Sequence, residues 1–308
     1  MSVTLIAAVV ALVLGHLAQS LAASVRHYGW YGDWLRWIDS RFPEGSFWRG
    51  RWGLLIALVP PLLAVGLFQL ALAEPLIGLG GLVFAIFILF YAWGPRDLDL
   101  DVEALASAPD AASRREAAAR LWPEGATPSL DGGSLVEAVF RSALRRWFGV
   151  LFWFLLLGPI GALGYRLVAL AAEGEASKQL SGETLAGART LLALLDWPVS
   201  QLLTLALALV GNFDTVLGAW REAGGARFTL ENRFLGAVAR ASVKCELAEE
   251  AADYLNESGV AAPGLPGQGV AVVGGEVPEL RDAMSLVWRS LLVWLAVLAL
   301  FVIAGFVA

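Results

Sequence analysis

The residues with the most chemical potential in this chain are its charges, because they are few and several fall in apolar surroundings. The run RDLDLDVEAL at 96–105 alternates Asp97, Asp99, Asp101 and Glu103. On an extended segment that spacing would point all of these carboxylates one way and could hold a hydrated Mg²⁺. Acids also suit the first turn of a helix, where the macrodipole favours negative charge. The helix-start reading is preferred, which leaves Asp97, Asp99 and Asp101 as weak metal candidates. Arg166 and Asp196 lie inside apolar blocks, where an ionised group costs about 2.5–3.5 kcal/mol on insertion scales. In antiparallel neighbours they would share a depth and pair, most simply as a clasp within a bundle, or Arg166 would snorkel outward. His16 falls on one helix face with Gln19 and Ser20, a polar stripe suited to contact another helix. Arg141, Arg145 and Arg146 precede Trp147 at the edge of an apolar block. They could bind an anionic ligand or lipid head group, or simply anchor the chain on the basic side of a membrane.

Other chemistry lacks its residues. Cys245 is the only cysteine and His16 and His27 the only histidines, so an internal disulfide and a multi-histidine metal site are excluded. No GxxxxGK[ST] phosphate loop occurs. GLGG at 78–81 sits within an apolar block, where small residues let helices approach, and GLPGQG at 264–269 is followed by no lysine. No cofactor is expected.

The elements that carry these groups are apolar blocks. Of 308 residues 58% are hydrophobic and only 16% charged, and the mean hydropathy is +0.66. That composition excludes a soluble enzyme. With 22 basic and 28 acidic residues the net charge is −6, which argues against a nucleic-acid partner. Blocks near 20 residues, the length that crosses hydrocarbon, occur at about 2–23, 53–73, 76–93, 148–171, 190–211 and 286–308. The expected fold is an all-α polytopic transmembrane bundle of about six spans, one integral domain, with the lipid bilayer as its first partner. The fifth block is least secure, since Asp196 and Pro198 interrupt it. The first is read as a span rather than a signal peptide, because its first basic residue is Arg26.

Basic residues stay on the cytoplasmic side. The segments 24–52, 95–147 and 212–285 carry five, seven and six Lys or Arg, whereas 74–75 has none and 172–189 only Lys178 and Arg189. The count predicts cytoplasmic loops at the first three segments and both termini outside. The 24–52 segment interleaves Trp, Tyr and Phe with arginines, as an interfacial amphipathic segment would, although the preferred reading is a juxtamembrane elbow with aromatic anchors. The other two cytoplasmic segments read as short amphipathic helices.

LFWFLLLGPIGALGYRLV at 151–168, LLALLDWPVSQL at 191–202 and LALALVGNFDTVLGAW at 205–220 resemble the AmpE family. These are bacterial inner-membrane proteins associated with β-lactamase regulation, in a superfamily shared with the CobD/CbiB proteins. The resemblance is sharpest over 136–220, weaker over the first 95 residues and mostly one of layout after 221. CobD/CbiB proteins make an amide between a corrinoid carboxylate and an aminoalkanol with ATP. Glu137 matches their pattern, but acids and amides of that pattern are replaced here by Arg141, Ser142, Arg145, Ala169 and Ala172. Their SPN-type motif is replaced by GNFDTV at 211–216. An ATP-using ligase needs carboxylates for Mg²⁺, and arginines in their place reverse the local charge.

The resemblance therefore implies a non-enzymatic inner-membrane regulator linked to β-lactamase induction and cell-wall recycling, with a protein partner or muropeptide-type ligand. Two alternatives stay open. One is a divergent ligase, which would need Asp97 to Glu103 to converge on the altered segment. The other is a transporter of a cell-wall fragment or lipid using Arg166, Asp196 and His16 within the membrane, for which inverted repeats are expected and none is seen.

Overall fold

The computed structural model describes residues 2–17, 24–72, 78–94, 96–229, 232–258 and 278–304. The side chains of His16, Gln19 and Ser20, the Glu74-Pro75 turn and residues 260–277 of the Gly/Pro loop lie outside this description. The described residues form an all-α fold. In chain order the helices are α1 (Ser2–Leu17), α2 (Gly29–Arg41), α3 (Leu54–Ala71), α4 (Gly78–Ala92), α5 (Leu98–Ala106), α6 (Ala111–Ala119) and α7 (Gly132–Ala143). A π turn, Leu144–Phe148, joins α7 to α8 (Gly149–Leu157). Then come α9 (Pro159–Glu173), α10 (Gly182–Val210), α11 (Phe213–Glu222), α12 (Arg233–Ser258) and α13 (Pro278–Ile303). Short polar side chains start several of them: Asp97, Asp110, Asp131, Ser181 and Asn212 each accept a backbone N–H of the first turn, the capping that leaves fewer orphan donors.

Three helices, α3, α10 and α13, are long and apolar enough to cross a membrane, while α1 and α4 hold shorter apolar runs. Their outward faces are lined by exposed leucine, valine and phenylalanine, so the chain has the composition of a membrane protein inside and out. The aromatic segment after α1 holds an amphipathic helix, not the plain elbow preferred from sequence: α2 buries Tyr31, Leu35 and Ile38 and exposes Trp30 and Trp37.

The block 148–171 departs from expectation. It is not one span but two helices folded back on each other at Gly158, whose φ of 71° lies in the left-handed region that favours glycine. Pro159 then starts α9 at its first position, where a missing N–H costs nothing. Contacts across the turn fix the hairpin. A Cβ on Gly161 would lie 2.1 Å from the Trp153 carbonyl oxygen, and one on Gly149 would lie 2.2 Å from the Tyr165 ring. Lower down, Arg145 pairs with Glu173, and Glu124 N donates to Glu173 O at 3.0 Å. In a continuous helix residues 145 and 173 would stand about 42 Å apart. Both ends of the block therefore emerge at one level, the base of the hairpin.

The remaining helices are placed relative to that base. Gln69 near the end of α3 donates to Leu157 O and accepts from Ile160 N at the apex, both at 3.2 Å, so α3 runs from base to apex. Helix α13 runs the same way: Trp288 meets Trp147, and Trp294 meets Phe148 and Phe152. Helix α4 ends at the base, where Ala92 O accepts from Arg166 Nε at 2.7 Å. Helix α10 lies across the base. At its start Thr184 donates to Trp48 O at 2.9 Å and Arg51 to Thr190 at 3.2 Å, and at its far end Val210 O accepts from Arg289. The start of α10 thus meets the chain just before α3, and its far end meets α13 near the middle of that helix, next to Trp288.

Close packing of the hairpin makes a graded expectation. Gly161→Ala forces the backbones apart, whereas Gly164, where an added Cβ meets only Leu62 at ordinary contact of 3.4 Å, accepts alanine. Thermal unfolding in detergent should show a loss of about 1–3 kcal/mol for the first, the usual cost of overpacking, and little change for the second. Equal tolerance of both would contradict the hairpin.

Candidate functional site

The site is built where the π turn LRRWF meets the base of the hairpin. A π turn rotates the residues that follow it and recurs at functional sites. Here it sends two adjacent arginines to different elements. Arg145 Nε donates to Asp196 Oδ2 on α10 at 3.2 Å, and its Nη1 pairs with Glu173 at the end of α9. Arg146 Nη1 donates to Asp101 Oδ2 on α5 at 2.7 Å, and Nη2 to Arg120 O at 2.6 Å. Asp196 also accepts from the Tyr165 hydroxyl at 2.5 Å, and its side chain is 1% exposed. Asp101, equally buried, takes a second arginine, Arg96, at 3.1 Å.

Burying a carboxylate is tolerable only when its oxygens are matched by charge and hydrogen bonds. Asp196 has an arginine and a phenol, and Asp101 has two arginines. The base is thus a junction in which α5, the π turn, α9 and α10 are joined by neutralised charges.

The sequence-predicted residues partly converge here. Arg145 and Asp196 meet each other. Arg166, expected to pair with Asp196, does not: its guanidinium donates to the carbonyls of Ala92, Arg145 and Arg146 at 2.7, 3.2 and 3.4 Å. The depth argument assumed two antiparallel spans. Because the block folds back, Tyr165 faces α10 and the next residue faces α4 and the π turn. Arg141 lies over the Trp122 ring at 6.0 Å. The acids at 97–103 form no extended ladder: Asp97 caps α5, Asp99 accepts from Trp288 Nε1 at 2.9 Å, and Asp101 joins the junction. They diverge as helical residues do, and among the described residues no group of three His, Cys, Asp or Glu could hold a metal ion. Glu173 and Tyr165 were not singled out from sequence. A signal existed in the GxxGY run, since a glycine beside an aromatic marks close helix approach.

Two cavities flank this junction. The larger, about 1050 Å³, is lined by eight arginines and five carboxylates. The smaller, about 940 Å³, is lined by six arginines and three carboxylates. Arg141, Arg145 and Glu173 belong to both linings and form the wall between them. In a chain of net charge −6, both concavities are strongly basic, and clefts of one sign focus the field and concentrate counter-ions.

No family model, curated protein or solved structure matches the chain. Function must therefore be argued from the geometry above.

Removing Arg145 should strand the buried Asp196 carboxylate, whereas removing Asp196 leaves Arg145 paired with Glu173. Arg145→Gln is expected to lose about 3–5 kcal/mol, Asp196→Leu less, and the Arg145→Leu/Asp196→Leu double variant to recover much of the first loss. Reversing Arg166 and Asp196 should rescue nothing. Unfolding in detergent measures all of these, and rescue by the Arg166–Asp196 swap would contradict the observed pairing.

Proposed function

We propose that this chain is a multi-pass protein of the bacterial inner membrane that binds an anionic ligand at its cytoplasmic face and serves regulation rather than catalysis. One observation carries the reading: the basic cavities at the hairpin base adjoin buried carboxylates that are already held by arginines. Such a site attracts an anion and has no free acid pair to activate one or to hold Mg²⁺.

The base is assigned to the cytoplasm by its basic residues. We read 148–171 as a hairpin that folds back and α10, although long and apolar enough to cross, as lying across the base; crossings are then assigned to α1, α3, α4 and α13, four rather than six. Segments 24–52, 95–147, 172–189 and 212–285 then share one side, so Lys178 and Arg189 join the other basic residues. Both termini stay periplasmic, because two crossings are lost together. The exposed indoles of α2 would lie at the head-group level of that face.

The resemblance to the AmpE family supplies the biological setting: β-lactamase induction and cell-wall recycling, with a muropeptide-type ligand or a protein partner. The ligase alternative is weakened by Asp101. It does reach the altered segment, but only to neutralise Arg146 and Arg96.

A ligand that binds only the folded protein raises its stability, by about 2.7 kcal/mol at a hundred times Kd. In a detergent thermal-shift comparison anhydro-muropeptide is expected to raise the unfolding temperature, and Mg-ATP with a corrinoid acid is expected to have no effect. Stabilisation by the latter pair alone would overturn the reading in favour of the ligase.

A further inference from the structure

The larger cavity holds three arginines that no carboxylate contacts directly. Among the described residues Arg26, Arg141 and Arg166 form no ion pair with a carboxylate. Arg166 is 3% exposed and Arg26 7%. Arg166 is satisfied by backbone carbonyls, which are dipoles and not charges. Arg26 donates to Phe90 O at 3.0 Å and lies over the Phe90 ring, but its Nη2 has no partner. Arg141 likewise keeps a buried Nε without a partner.

Four of the five acids in the lining face a basic side chain, and of the five Glu175 alone forms no ion pair among the described residues. Asp33 pairs with Arg36, Glu124 with Lys178 and Glu173 with Arg145, and Glu116 lies 3.8 Å from Arg120. Tyr28, against Arg26 and Arg166, supplies no negative charge, because burial pushes its pKa up to about 12 and its hydroxyl donates to Tyr91 O. Burial pulls the Arg26 guanidinium below its ordinary value against the opposing influence of Tyr28 and Asp97, and burial with the neighbouring Arg145 does the same to Arg141 against that of Glu173. A guanidinium does not shed its proton to escape such a setting. Three positive charges lining one cavity of about 1050 Å³ are a standing electrostatic cost, which a bound polyanion would relieve.

We propose that the larger cavity is a binding site for a phosphoryl polyanion, a diphosphate or phosphate monoester, held by Arg26, Arg141 and Arg166. A single carboxylate brings one charge. A phosphoryl group brings about two charges and three strong acceptor oxygens in the geometry that guanidinium forks match. The group comes from a soluble compound or from a lipid head group, since the cavity lies at the base of the apolar helices. The inference rests on the reading that the base takes an anionic ligand, and it assigns this cavity a phosphoryl ligand distinct from an anhydro-muropeptide, whose anionic groups are carboxylates.

The test is titration of the full chain in detergent with inorganic pyrophosphate, at constant ionic strength, followed by thermal shift and calorimetry. The wild type is expected to bind saturably. Arg141→Gln should weaken binding at least tenfold without lowering the unfolding temperature of the unliganded protein, because it removes a charge that no carboxylate contacts and so breaks no ion pair. Arg51→Gln, which lines only the smaller cavity, should bind as the wild type does. Phosphatidic acid in nanodiscs that competes with pyrophosphate identifies a lipid source, and failure to compete identifies a soluble one; both support the site. Absence of saturable binding, equal binding by wild type and Arg141→Gln, or equal binding of citrate would overturn it. Pyrophosphate binding without a muropeptide response would leave this site standing and remove the cell-wall setting, and the reverse result would do the opposite.

Discussion

The structure depends on one guanidinium that bridges two acids. Arg145 is held between Glu173 at the foot of α9 and Asp196 in α10, and those two acids approach only if the chain reverses between them. Where water is scarce, an unmatched charge costs several kcal/mol. The hairpin, the π turn and the crossing of α10 are therefore linked requirements. Straightening 148–171 would part Arg145 from Glu173 by about 42 Å. A normal α-helical turn in place of Leu144–Phe148 would rotate Arg145 and Arg146 away from their acids. The glycines at 149 and 161 are the backbone side of the same constraint, since larger residues there collide with Tyr165 and with the Trp153 carbonyl.

The same junction accounts for the charge distribution. The chain is acidic as a whole, yet the concavities at the base are basic, because arginines outnumber carboxylates in their linings and all of those carboxylates but Glu175 lie in ion pairs. What remains is a set of arginines tethered to carbonyls and rings. A surface that pairs most of its acids and leaves several arginines without a carboxylate contact is suited to an anion, which ties the stabilising interactions of the fold directly to the proposed binding function.

Much of this was legible in the residues. Helical class, the apolar helices and the helix-start role of Asp97 follow from composition, periodicity and capping. Arg145 and Asp196 were recognisable as groups that demand an account. Their pairing was not, because depth in a presumed crossing was the only ruler, and it pointed Arg166 at Asp196. The reversal at Gly158-Pro159 was hidden by an unbroken apolar run on either side, since hydropathy measures length and cannot see a turn made by one left-handed glycine. The π turn has no composition signature at all. The cavity arginines come from segments as far apart as 26 and 166, and only the fold brings them to one lining.

The sidedness of the hairpin is the most direct test of the account. With Cys245 replaced by alanine, single cysteines at Thr127 and Lys178 flank the hairpin, and each can be labelled with an impermeant thiol reagent in right-side-out and inverted membrane vesicles. The account predicts that both label from the same, cytoplasmic side. Labelling from opposite sides would show that 148–171 crosses the membrane after all and would break the junction on which the site is built.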